Sequence, residues 1–154
     1  MVVSMRFYTY DTSVVISRPL VLLPGASQNR FWSAVVLMEL MASARDDSHR
    51  KTLEKLSRDY ERDHSLIVPT ADDWTLASKI LFRLTQARRL AQGGKLLRLK
   101  PGASQRVALD VLTAVSARRW NSTVVVENWS DFKAIQHYCK GLRIIRASDF
   151  FEQP

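Results

Sequence analysis

The sequence predicts an α/β fold in which a short, mostly parallel sheet is flanked by helices. Three observations predict it. Short apolar runs recur at Phe7–Tyr10, Ser65–Val68, Thr123–Val126 and Leu142–Ile145, as expected of strands covered on both faces. Longer segments of helical period separate them. No internal repeat or low-complexity linker interrupts the 154 residues, so one domain spanning 1–154 is expected.

The first run delivers a carboxylate, Asp11, to its carboxyl end, with Thr12 and Ser13 directly after. Ligand sites in parallel sheets form just outside such ends, although an acid there can also be a plain N-cap. Thr12–Ser17 suits a short helical turn that Pro19 stops, and Leu20–Ser27 a loop with a Pro24–Gly25 turn. Asn29–Ala44 reads as a helix capped by Asn29 and buried on most faces. Glu39 is its sole ionisable side chain between Arg30 and Arg45. A carboxylate so placed needs a compensating group, either an arginine or a metal ion.

Asp46–Asp63 has a narrow apolar stripe of Leu53, Leu56 and Tyr60. Arg50–Glu54, Glu54–Arg58 and Lys55–Asp59 pairs at i,i+4 mark its other faces as exposed. Pro69 ends the next strand. Thr70 and Asp73 then form a capping-box pattern opening a helix with Ala77, Ile80, Leu81, Leu84, Ala87 and Ala91 inward. Gly93–Gly94 ends that helix, and Lys95–Gly102 is a basic loop with an extended run at Leu96–Leu99. Ser104 is expected to cap a helix running to about Trp120, in which Asp110 is the lone ionisable residue between Val107 and Ala117. Glu127 and Asn128 follow the strand at Thr123–Val126. Ser130 is expected to cap a short helix with Asp131, Phe132 and Ile135, closed by Gly141. The tail from Arg146 carries no clear signal.

The formal net charge is +8. Between Trp74 and Leu109 there is no acid and there are eight bases: Lys79, Arg83, Arg88, Arg89, Lys95, Arg98, Lys100 and Arg106. Elsewhere bases and acids are equal in number, so this window carries the whole surplus. Such a stripe is either the footprint of a nucleic-acid binder or a solvated helix face. One cysteine, Cys139, excludes an intrachain disulfide and suits a reducing cytosol. No apolar run approaches the roughly 20 residues of a membrane span, and a signal-peptide pattern is absent at the start. A cytoplasmic protein with no membrane association is the expectation.

Asp11, Glu39 and Asp110 share one grammar, an isolated acid at a strand end or in an apolar helix. Converging carboxylates repel, which implies a bound divalent cation. Oxygen ligands select Mg²⁺ or Mn²⁺. His49, His64 and His137 lack paired spacing, which argues against zinc. A haloacid-dehalogenase-like phosphatase would need a second Asp where Ser13 stands.

On Asp11–Thr12–Ser13–Val14–Val15–Ile16, Val36–Leu37–Met38–Glu39–Leu40–Met41–Ala42–Ser43–Ala44, Asp110–Val111–Leu112–Thr113–Ala114 and Val126–Glu127–Asn128–Trp129–Ser130–Asp131–Phe132, the chain resembles the PIN-domain ribonucleases, most closely the VapC-type toxins of toxin–antitoxin pairs. The resemblance implies a PIN-like three-layer sandwich with acids from four segments around Mg²⁺ or Mn²⁺. Asp11, Glu39 and Asp110 fall on the three best-defined acidic positions, and Asp131 on the fourth, less regular one. Val126 stands where the pattern usually has Thr, so Glu127, Asn128 and Asp131 all remain candidates for completing the shell. The implied activity is metal-dependent endonucleolytic hydrolysis of RNA, with tRNA or rRNA as candidate substrates. Asp11 and Asp110 would hold the metal, while Glu39 and Asp131 act through water or a second ion. Thr12, Ser13 and Thr113 are possible supporting residues. Arg106, one turn before Asp110, is either a phosphate clamp or a solvated cation. Implied partners are a cognate antitoxin and a second copy of the chain, with the faces of Asn29–Asp63 as candidate dimer surfaces. The rival classes are a PIN-like RNA-processing nuclease that is not a toxin and a catalytically silent RNA-binding scaffold.

Overall fold

The computed structural model describes residues 5–22, 29–94 and 103–152. The basic loop at 95–102 and most of the 20–27 loop lie outside the described residues. The elements run β1 (Phe7–Tyr10), α1 (Thr12–Ser17), a 3-10 turn (Pro19–Leu22), β2 (Trp32–Ser33), α2 (Ala34–Ala42), α3 (Asp47–Arg62), β3 (Leu66–Ile67), α4 (Ala71–Ala91), α5 (Ala103–Arg119), β4 (Ser122–Val126), α6 (Trp129–Tyr138), β5 (Arg143–Arg146) and α7 (Ala147–Phe151).

The strands form two small sheets, β1-β4-β5 and β2-β3, and every described pairing is parallel. A parallel bridge between Tyr8 and Arg30 ties the two together. In register, Tyr10 faces Val125, and Val125 faces Ile145. These three sit on one face of the sheet, where Val14, Val15, Trp32, Leu37 and Leu53 pack over them. The opposite face, through Val124, Val126 and Ile144, packs on α4, α5 and α6. Two helical layers thus cover the sheet, the physical reason its strands read as continuously apolar.

The helix expected from Asn29 starts five residues later. Phe31 N donates to Tyr8 O at 2.8 Å and Trp32 N donates to Ser65 O at 2.8 Å, so neighbouring extended chain captures the amides a helix would need. The ring of Trp32, stacked on Tyr60 at 5.4 Å and tilted on Tyr10 at 5.5 Å, anchors that extended piece. Ser33, not Asn29, is the N-cap. Ser104 and Ser130 lie inside their helices rather than at the caps, since α5 begins at Ala103 and α6 is capped at Asn128. The tail from Arg146 forms α7, whose Phe150 covers Tyr8 with ring centres 4.8 Å apart. On α3, Arg50–Glu54 and Glu54–Arg58 pair as expected, but Asp59 pairs with Arg62. Among the described residues, no helix is long and apolar enough to cross a membrane.

The capping box at Thr70 and Asp73 is complete. The same Asp73 carboxylate accepts from Arg119 Nε at 2.9 Å, and Arg119 also reaches Val68 O at 2.9 Å. The end of α5 is thereby fixed against the first turn of α4, and the two helices run antiparallel. Asp73 is only 4% exposed. An Arg119→Met variant should therefore lose about 2 kcal/mol of unfolding free energy, because a buried carboxylate loses its cation. Urea denaturation at neutral pH measures this, and a loss below about 0.5 kcal/mol would show the pair to be dispensable.

Candidate functional site

Asp11 continues β1 by one residue. Its amide donates to Val125 O at 3.0 Å, so the residue is held at the carboxyl edge of the sheet. It occupies the N-cap position of α1, yet its side chain does not make the usual capping bond. Ser13 Oγ donates to its Oδ2 at 2.6 Å instead. Glu39 reaches the same place from α2, where it is half-buried, and its Oε2 accepts from Thr12 Oγ1 at 2.5 Å. Asp110 arrives from α5 and is 7% exposed.

These side chains line one cleft of about 350 Å³, together with Ile16, Ser43, Arg106 and Asn128. Asp131 is half-buried at the start of α6, accepts a hydrogen bond from Asn128 Nδ2, and lies near enough for its charge to act on Asp110. Four acids from four segments therefore share one electrostatic neighbourhood.

The electrostatics follow from that crowding. Burial and then the charges of Asp11, Glu39 and Asp131 push Asp110 up to about 8, against a smaller opposing effect of Arg106. Burial raises Asp11, with the Ser13 hydroxyl and the Thr12 and Ser13 amides pulling the other way. Burial also raises Glu39, offset by the Thr12 hydroxyl and Arg106 and reinforced by Asp11. Arg106 is an exposed side chain of the cleft wall and is in no ion pair with these acids. Among the described residues, no ion pair compensates these acids.

The remaining candidates are placed elsewhere. Glu127 turns away from the cleft, paired with Arg18 and accepting from Ser17 Oγ at 3.3 Å. Its strand-end position gave no sign of that choice. Thr113 is buried in α5 one turn beyond Asp110, and its hydroxyl has no hydrogen-bond partner among the described residues. Two lining residues were not singled out in the sequence. Ser43 lies one helical turn past Glu39 and bonds to Glu39 O at 2.9 Å, a spacing that would have revealed it. Ile16 is 64% exposed at the cleft mouth, which no apolar pattern signals.

Among the described residues, no three His, Cys, Asp or Glu side chains are disposed to hold a metal ion as they stand. The Thr12–Glu39 and Asn128–Asp131 hydrogen bonds each orient one acid toward a neighbour within the protein. The donor chemistry of the cleft nonetheless fits a hard cation: its polar lining offers carboxylate, hydroxyl and amide oxygens and no imidazole or thiol.

No protein-family model matches the chain, and no curated protein matches it. Solved structures do. The structure of FitAB bound to an IR36 DNA fragment contains a chain that aligns with TM-score 0.54 and 16% identity, over 91% of this chain and 94% of that one. DNA-bound VapBC from Salmonella typhimurium aligns with TM-score 0.50 and 16% identity, over 92% and 98%. At such identities the likeness is one of fold, and the α/β sandwich with a short parallel sheet is the fold these chains share.

The raised proton affinity of Asp110 sets a pH dependence. An aspartate unfolds to an ordinary value near 3.8 and is held at about 8 in the fold. Between those limits the unfolded chain has released a proton that the native chain keeps, so stability falls as pH rises through the window. Asp110→Asn removes the penalty. In chelator-containing buffer this variant should gain on the order of a few kcal/mol over the parent at pH 8, shrinking toward zero near pH 4. Urea titrations across that range check it. A gain that does not change with pH would mean that Asp110 is not the titrating group.

Proposed function

We propose that the chain is a divalent-metal-dependent endoribonuclease, hydrolysing phosphodiester bonds in RNA as the toxin of a VapBC-type toxin–antitoxin pair. The observation that carries this reading is the convergence of Asp11, Glu39 and Asp110 on one cleft, with Asp131 near enough for its charge to act on Asp110 and no ion pair to these acids among the described residues. An arrangement that costly is retained where the charge is used.

Mg²⁺ or Mn²⁺ would be held by Asp11 and Asp110, with Glu39 and Asp131 in reach of its waters. Bound there, the ion would lower the pKa of a water and offset charge growing on the phosphate. The protein's own groups supply the rest. Ser13 fixes the Asp11 carboxylate and Thr12 fixes Glu39 through their hydroxyls. Glu39, with its proton affinity raised, suits a role in taking a proton from the attacking water. Arg106, on the cleft wall and in no ion pair among the described residues, would be placed for a phosphate oxygen.

The toxin assignment draws on the fold shared with chains of the DNA-bound FitAB and VapBC structures. On this reading the chain would have a cognate antitoxin, whose basic side chain would answer the acids of the cleft, and would pair with a second copy of itself. A second reading, a silent scaffold, is favoured by the lack of a preformed three-acid group among the described residues.

Purified chain incubated with RNA and Mn²⁺ should yield discrete cuts, found by sequencing the new RNA ends. Asp11→Asn should lower cleavage by about 100-fold or more while keeping the circular-dichroism spectrum. A folded Asp11→Asn protein that cuts normally would end the metal-site reading. Absence of both cleavage and Mn²⁺-induced stabilisation in the parent would favour the scaffold. Growth arrest on expression of the chain alone separates a toxin from a processing nuclease.

A further inference from the structure

We propose that the outward face of α4 is a second RNA-contact surface, on which Phe82 and Trp74 stack against unpaired bases while Lys79 and Arg83 take backbone phosphates. The identity of the polymer rests on the ribonuclease reading; the surface itself rests on separate observations.

The helix is anchored inward by Asp73, Ala77, Ile80 and Leu84. At about 100° per residue, Phe82 projects roughly 140° to 200° from each of these, the most outward direction the helix has. It is 61% exposed and Trp74 is 60% exposed. A shallow depression is lined by Ser78, Lys79, Phe82 and Arg83. Among the described residues, neither Lys79 nor Arg83 is in an ion pair. From Trp74 to the end of α4 the sequence holds no acid at all.

Charge complementarity selects the occupant. A second copy packed symmetrically on this face would bring Lys79 and Arg83 near their own counterparts, a repulsive pairing. A single-stranded polyanion meets both features at once, since every base offers a π face and every linkage a negative charge. Trp74 lies about 12 Å from Phe82 along the helix and about 80° from it around the axis, on the flank of this face, against about 3.4 Å between stacked bases, so the two rings would meet different bases.

The position along the fold also fits. Asp73 meets Arg119 at 2.9 Å, and α4 and α5 pack antiparallel from that point. Nine residues on is Phe82, and nine residues back from Arg119 is Asp110, each about 14 Å along its helix. The ring therefore sits level with the acidic cleft, one helix over. A strand lying on α4 at that level is within a few nucleotides of Asp110.

The test is fluorescence anisotropy of the full chain in chelator, where metal-dependent cutting is silent, with a labelled single-stranded RNA and a duplex of the same sequence. Phe82→Leu, which keeps an apolar side chain but cannot stack, should weaken single-strand binding about tenfold and leave duplex binding unchanged. Phe82→Trp should restore it. Lys79→Gln with Arg83→Gln should flatten the salt dependence of single-strand binding by about 1.4 units of slope. Unchanged single-strand affinity in Phe82→Leu overturns the proposal. So does a Phe82→Leu protein whose sedimentation or protein-partner binding changes while RNA binding does not, since the face is then a protein interface. Loss of binding in Phe82→Leu, with no Mn²⁺-dependent cleavage by the parent, keeps the surface and removes the ribonuclease reading. Cleavage by the parent with no effect of Phe82→Leu does the reverse.

Discussion

The constraint on which this structure turns is the crowding of negative charge around Asp110. Burial alone would raise the proton affinity of that carboxyl, and three further acids raise it again. A fold that needed only stability would place Asn or Leu there, for the rest of α5 is apolar through Val111, Leu112, Ala114 and Val115. The scaffold must instead hold four repelling groups in place from four separate segments. It does so with local hydroxyl and amide donors, Ser13 on Asp11, Thr12 on Glu39 and Asn128 on Asp131. None of these donors carries charge, so they orient the acids without cancelling their field. Arg106 opposes that field, but from an exposed position on the cleft wall and without a direct ion pair.

The sheet makes this crowding possible. Asp11 and the Asn128–Asp131 turn follow β1 and β4, which are hydrogen-bonded neighbours in parallel register. Parallel pairing puts both carboxyl ends on one side, so residues far apart in sequence emerge together. Glu39 and Asp110 approach the same edge from α2 and α5, which pack on opposite faces of the sheet and touch each other. At the acids the local and global requirements conflict, a pattern expected of functional positions.

Much of this was legible in the sequence, and for physical reasons. An isolated acid in an apolar run is a conspicuous violation of burial, so Glu39 and Asp110 stand out without a structure. The parallel sheet was legible because strands covered on both faces carry apolar residues without alternation. What escaped were choices made by tertiary partners. Trp32 and Ser33 became a strand because extended chain on either side took their amides. Glu127 turned toward Arg18 because α1 ends beside it, and no sequence spacing encodes a contact across 109 residues. Ser104 and Ser130 fall inside α5 and α6 because Ser is equally at home in a first turn, where its hydroxyl does not decide the boundary. Arg146–Phe151 looked featureless because its helix is a single short turn held by Phe150 against Tyr8 and Tyr10.

The charge distribution supplies the last step. A cleft rich in uncompensated carboxylates repels a polyanion, so on the ribonuclease reading substrate and site have the same sign. Two things reverse that: a bound cation inside the cleft and a positive field beside it. The sequence places its entire surplus of positive charge between Trp74 and Leu109, and the described parts of that segment form most of α4 and the start of α5, the helix that carries Asp110. At physiological ionic strength a surface charge acts over roughly 8 Å, so a basic helix assists the cleft only if it is a direct neighbour. α4 packs on α5, the helix that carries Asp110, and is fixed there by the Asp73–Arg119 pair at the far end of α5. None of its bases lines the cleft, however, so its field serves a strand lying on α4 rather than the acids themselves. The buried ion pair and the exposed basic face are therefore two parts of one arrangement. The first sets the register of α4 against α5, and that register decides which of the outward side chains of α4 stand level with the acids.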